Sequence, residues 1–238
     1  MRPGFDESPL NPLPAVIWAL ALPMIATEAV FGLGQLGFVG GGGGQGAGLA
    51  MRQIAVERTA YFPELLLRLW QMGALVLDQS WRILTYSFVH LSLTHALFVI
   101  VFTLALGNLI AQQFRPWAVV ALFLGSAIGG ALIYTLVAGL LPQFRFQPLI
   151  GGYPAVYGFV GAFTFLLWAR LGQQNANRLR AFSLIGMLLA FQLVFGILFQ
   201  DGSLTWIAEV AGFGCGFLLS FVLVPGGIGR VMRQIRQR

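Results

Sequence analysis

The 238-residue chain is 58% hydrophobic and only 9% charged, with 14 basic against 8 acidic residues, far below the roughly 25% charged content of a soluble domain. So little polar material cannot cover a water-exposed surface. With a single cysteine, Cys215, the composition excludes a cytosolic enzyme, a secreted disulfide scaffold and a disordered chain. All the basic residues are arginine and none forms a dense patch, which argues against nucleic acid and leaves membrane lipid as the partner.

The apolar residues run continuously instead of alternating, so the predicted architecture is all-α, a polytopic helix bundle and not a barrel. Six stretches are long enough to span a bilayer: Leu13 to Leu33, Ile83 to Ile110, Trp117 to Leu141, Leu149 to Ala169, Ala181 to Phe199 and Leu204 to Val224. The first is not a signal peptide, because Pro23 and Glu28 interrupt it and Asp6 and Glu7 precede it where a basic region would be needed. The chain thus reads as one membrane domain over residues 1–238, with a short segment 1–12, a long loop 35–82 and a basic tail 225–238.

Within the loop, the tract Gly40 to Gly44 reads as a flexible linker and lacks the Lys-Ser/Thr pair of a phosphate-binding loop. The stretch Ile54 to Leu77 mixes Leu66, Leu69, Trp70 and Val76 with Glu57, Arg58, Glu64 and Arg68. That pattern suits short interfacial helices, broken at Pro63 and Gly73. Placing the N-terminus in the cytoplasm puts nine arginines inside, among them Arg115, Arg170, Arg178, Arg180 and those of the tail. Five remain outside: Arg52, Arg58, Arg68, Arg82 and Arg145. The expected location is a cell membrane, of bacterial inner-membrane type, with both termini cytoplasmic and the 35–82 loop outside.

The two histidines, His90 and His95, are five apart, about 500° around a helix. They share no helical face and have no further ligand nearby, so no metal site and no cofactor are predicted. Trp81-Arg82, His90, His95 and Gly107 precede Gly125-Ser126-Ala127-Ile128-Gly129-Gly130. Then come Gly151-Gly152-Tyr153-Pro154-Ala155-Val156-Tyr157-Gly158 and Ala208-Glu209-Val210-Ala211-Gly212-Phe213-Gly214-Cys215-Gly216. In order and placement these segments resemble the rhomboid family of intramembrane serine proteases, with its Gly-x-Ser-Gly-Ala-x-x-Gly and Ala-His-x-x-Gly-Phe-x-x-Gly signatures. The resemblance runs from Trp81 to Val224 and implies a six-transmembrane-helix rhomboid-like bundle with an interfacial-helix loop between helices 1 and 2.

The resemblance puts Tyr153 at the serine nucleophile position, Pro154 at the glycine after it and Glu209 at the histidine base. His95 stands where the family's oxyanion-hole histidine does, Val99 replaces an asparagine donor, and Ala111 falls where a carboxylate is sometimes found. This route to peptide hydrolysis needs an aliphatic hydroxyl, a neutral base and donors aimed at the oxyanion. A phenol ionises only near pH 10, and loss of the nucleophile in soluble serine proteases lowers turnover by about 10⁶. Ser87, Ser92, Ser126, Ser183 and Ser220 all lack the family's glycine-rich turn and read as packing or capping hydroxyls.

Pro154 fits the first turn of a helix. Gly125, Gly129, Gly158, Gly161, Gly212 and Gly216 would let helix backbones approach closely. The expected site groups His90, His95, Tyr153, Pro154 and Glu209, with the Tyr153 hydroxyl donating to Glu209. The reading is a rhomboid-like pseudoprotease that binds transmembrane protein clients without cleaving them. The alternatives are an active rhomboid-type endopeptidase with a divergent site and, third, a membrane transport or assembly protein.

Overall fold

The computed structural model describes residues 13–39, 46–72, 79–190 and 205–226. The segment 1–12, the Gly40 to Gly44 tract, Gly73, the later part of the Ala181 to Phe199 stretch and the basic tail beyond Gly226 lie outside them. The elements are α1 (Ala15–Gln35), α2 (Ala47–Thr59), α3 (Pro63–Met72), α4 (Arg82–Thr85), α5 (Leu93–Ala111), α6 (Pro116–Leu140), α7 (Tyr153–Gln173), α8 (183–190) and α9 (Trp206–Leu223). Among the described residues, α1, α5, α6, α7 and α9 are long and apolar enough to cross a membrane. The fifth predicted span, Ala181 to Phe199, is described only through the helical residues 183–190.

The second span starts ten residues later than Ile83. Arg82–Thr85 forms the short α4, a 3-10 turn covers Tyr86–Phe88, and α5 begins at Leu93 after Ser92, whose backbone is extended and whose side chain accepts from the His95 amide at 3.1 Å. Long-range contacts hold this segment out of the helix. The Gly151 amide donates to the Tyr86 carbonyl at 2.7 Å, and the Tyr86 hydroxyl donates to the Ala127 carbonyl at 2.8 Å. Apolar composition could not distinguish such a buried loop from the start of a span.

In the long loop, helix formation begins at Ala47, earlier than Ile54, and pauses before Pro63, which opens α3. Here Pro63 needs no amide partner. α2 packs on the end of α1: a Cβ at Gly48 would lie 2.6 Å from the Gln35 nitrogen. The loop is also fastened to the bundle. Tyr61 and Leu149 exchange backbone hydrogen bonds of 3.1 and 2.8 Å, and the Tyr61 and Thr135 hydroxyls are 2.6 Å apart. Arg82 donates to the Glu57 and Ala60 carbonyls.

One ion pair ties α2 to α1. Arg52 Nη1 and Nη2 donate to the two oxygens of Glu28 at 2.8 and 2.7 Å, Nη1 also donates to the His90 carbonyl at 3.0 Å, and the guanidinium lies over the Phe31 ring. A carboxylate within a span needs such a partner, and the fork geometry of arginine satisfies both oxygens.

The centre of the bundle is the contact of α7 with α9, which run in the same direction. Added Cβ atoms at Gly212 and Gly216 would collide with the Pro154 and Gly158 carbonyls, and one at Gly161 with the Phe213 carbonyl. The two backbones therefore touch directly, the arrangement expected of small residues in lipid. α6 closes on the same helices: Gly129 faces Cys215, Gly125 faces Leu219 and Gly158 faces Ser126. Beyond the glycines the seam continues as aromatic contacts, with Phe165 and Trp168 of α7 against Phe217 and Phe221 of α9 at centroid distances of 4.7 to 6.1 Å.

Two stability changes follow. Gly161→Val drives a side chain into backbone and should cost about 1–3 kcal/mol or more, seen as a lower thermal midpoint in detergent, whereas Leu218→Val on the exposed face of α9 should leave it unchanged. Arg52→Ala strands the Glu28 carboxylate and should cost about 3–5 kcal/mol. Much of that loss should return in the Arg52→Ala, Glu28→Gln double variant.

Candidate functional site

The site forms where the starts of α5, α7 and α9 meet the loop that ends in Ser92. His90 is fully buried in that loop, and its Nε2 accepts from the Gly152 amide at 3.4 Å. The two histidines, expected to diverge on a common helix, come together because only His95 is helical. Their rings meet edge to face with centroids 5.1 Å apart. His90 Nδ1 and His95 Nε2 are buried without hydrogen-bond partners among the described residues.

Gly151 and Gly152 make this approach possible. Gly151 has φ +95°, and a Cβ there would sit 2.5 Å from His95 Cε1 and Nε2. Only glycine combines that backbone with that proximity. At Gly152 a Cβ would lie 2.7 Å from Val99 Cγ1. The Val99 side chain therefore lies against the turn that opens α7, where it offers no donor.

Tyr153 is the first residue of α7 and Pro154 lies in its first turn, as expected. The Tyr153 ring stacks on His95 with centroids 4.9 Å apart and planes 13° from parallel. Its hydroxyl is not the group that meets Glu209. That hydrogen bond comes from the Tyr157 hydroxyl, one turn further along α7. Helical side chains lean toward the N-terminus, so Tyr157 reaches back to Glu209 at the start of α9, while the Tyr153 ring is held on His95. Glu209 is only 7% exposed, in the first turn of α9, where the helix N-terminus favours an anion. It does not face open water.

The residues named from the sequence, His90, His95, Tyr153, Pro154, Val99 and Glu209, all lie around these helix starts. Sequence reasoning missed Tyr157 as the partner of Glu209. The available signal was the i, i+4 spacing of the two tyrosines. It also missed Arg52, for which the signal was the carboxylate of Glu28 inside a span. Among the serines, Ser220 donates to the Gly216 carbonyl at 2.7 Å, Ser92 caps α5 and Ser126 packs on Gly158. Within the described residues no cluster of three or more His, Cys, Asp or Glu could hold a metal ion.

Parallel helices in glycine contact, a histidine at the start of α5 and paired helix starts at α7 and α9 fit the expected rhomboid-like bundle. Residues 77–226 match the Rhomboid domain, and the chain belongs to the rhomboid family. It is also similar to RHOMBOID-like protein 4 of Arabidopsis thaliana, with 26% identity over 150 residues, 62% of this chain and 35% of that protein. The chain therefore spans about a third of the length of this relative.

His90 lies outside the spanning helices, and burial, then His95 and Arg52, push its pKa down from 6.5 to about 3. A neutral His90 stabilises the fold fully above 6.5, and that stabilisation is lost as pH falls from there toward 3. The thermal midpoint in detergent should therefore drop between pH 7 and pH 5, and a His90→Gln variant should show a shallower drop across the same range.

Proposed function

We propose that this chain is a rhomboid-like pseudoprotease, a membrane scaffold that binds transmembrane segments of client proteins and leaves them intact. The observation that carries this reading is the pairing at the nucleophile and base positions. Tyr153 is stacked on His95, and Glu209 accepts a hydrogen bond from Tyr157. A phenol in place of an aliphatic hydroxyl, with a carboxylate in place of imidazole, supplies neither the nucleophile nor the proton shuttle of serine hydrolysis. Val99 against Gly152 adds no oxyanion donor, and Pro154 has no amide hydrogen to offer.

A face that could receive a client is offered by α5, which exposes Leu97, Phe98, Val101 and Phe102 beside the site-bearing end. The bundle is read as lying in a cell membrane with the starts of α5, α7 and α9 toward the outside. The arginines at the opposite helix ends support that orientation.

Purified protein incubated with a fluorogenic transmembrane peptide and with a fluorophosphonate probe should show binding of the peptide, by energy transfer in vesicles, without cleavage or labelling. Cleavage abolished by Tyr153→Phe or Glu209→Gln would establish instead an active protease with a divergent site. The double variant Tyr153→Ser, Glu209→His should remain near background, because Val99 and Pro154 persist; robust cleavage by it would show the oxyanion region to be intact.

A further inference from the structure

Charge is segregated along the bundle axis. The described carboxylates belong to the end that holds His95 and Tyr153. Glu28 meets Arg52 beside His90, the Glu57 carbonyl meets Arg82, the Glu64 amide meets the Arg145 carbonyl, and Glu209 opens α9. At the other end, where α5 and α7 finish and α6 begins, the described charged residues are Arg115, Arg170, Arg178 and Arg180, all exposed. The ion pairs among the described residues, Arg52–Glu28 and Arg68–Glu64, involve none of these four.

Arg178 packs on α7. Its guanidinium carbon lies 4.7 Å over the Trp168 ring, and a Cβ at Gly172 would come within 2.5 Å of that carbon. The group thus lies against an indole ring and the side-chain-free Gly172 on one face of α7. Asn177 caps the following 3-10 helix, Arg178–Phe182, by accepting from the Leu179 amide at 2.9 Å. The Phe182 ring anchors that helix on Phe217 at 5.6 Å. Leu179, between the two arginines, is left 76% exposed.

We propose that Arg178, Leu179 and Arg180, with Arg170 at the end of α7, form a binding site for the headgroup of an anionic phospholipid. The guanidinium groups match a phosphate, which arginine can bind with two parallel hydrogen bonds. The outward leucine matches the acyl chains below it. A free phosphate would have no use for Leu179, and a nucleic acid would need a longer basic track. Basic pockets between helices bind anionic lipid headgroups, and basic residues at the membrane surface are drawn to anionic lipid.

The test uses the full chain in nanodiscs of phosphatidylcholine with and without phosphatidylglycerol, with co-purified lipid counted by native mass spectrometry after transfer to detergent. Wild type should retain phosphatidylglycerol in preference to phosphatidylcholine. Arg178→Gln and Arg180→Gln should each weaken that preference roughly fivefold, and Leu179→Asp should weaken it too. Arg68→Gln, at the opposite end, should leave it unchanged. Thermal midpoints in phosphatidylcholine confirm folding; should Arg178→Gln unfold the protein, the exposed Arg180→Gln variant decides. Equal retention of the two lipids, an equal effect of Arg68→Gln, or displacement of the lipid by inorganic phosphate would overturn the proposal.

Discussion

The direct backbone contact of α7 with α9 is the constraint on which the rest of the bundle depends. In lipid there is no hydrophobic gain from burying one apolar helix against another, so close packing has to supply the association. The carbonyls of Pro154, Gly158 and Phe213 occupy the space that side chains at Gly212, Gly216 and Gly161 would fill. Once that seam is fixed, the first turns of both helices stand side by side, and whatever occupies positions 153, 157 and 209 must share one small region. α6 then has little freedom, because Gly125, Gly129 and Ser126 fit against the same two helices.

Under the proposed reading, site chemistry changes here while architecture persists. A buried carboxylate at 209 requires a donor, and the seam delivers the Tyr157 hydroxyl to it. The Tyr153 ring, held on the flat face of His95, covers an imidazole whose Nε2 has no other described partner. Each of these side chains has a neighbour that accommodates it. Under the proposed reading, selection acts on the scaffold and its exposed faces, and a function belongs to the site rather than to the fold that carries it.

The glycine seam was legible because its physical requirement is local: contact between backbones permits one residue type, repeated at helical spacing. Pro154 was legible for the same kind of reason. The start of α5 was not, since Phe88, Val89 and Leu91 look like span residues, and the turn that excludes them depends on a hydrogen bond from Gly151, more than sixty positions away. The partners of Glu28 and Glu209 were equally hidden. A sequence announces that a carboxylate in a span needs a donor, but choosing Arg52 or Tyr157 requires knowing which helix faces lie together.

The seam also imposes an order on biosynthesis. α6 and α7 are made and inserted before α9, so during synthesis the glycine face of α7, with the Gly158 carbonyl upon it, borders lipid or some other helix. Small residues that pack tightly in the finished bundle are poor lipid contacts and attract any helix able to come close. The interval before α9 arrives is therefore the chain's most exposed moment for mispairing.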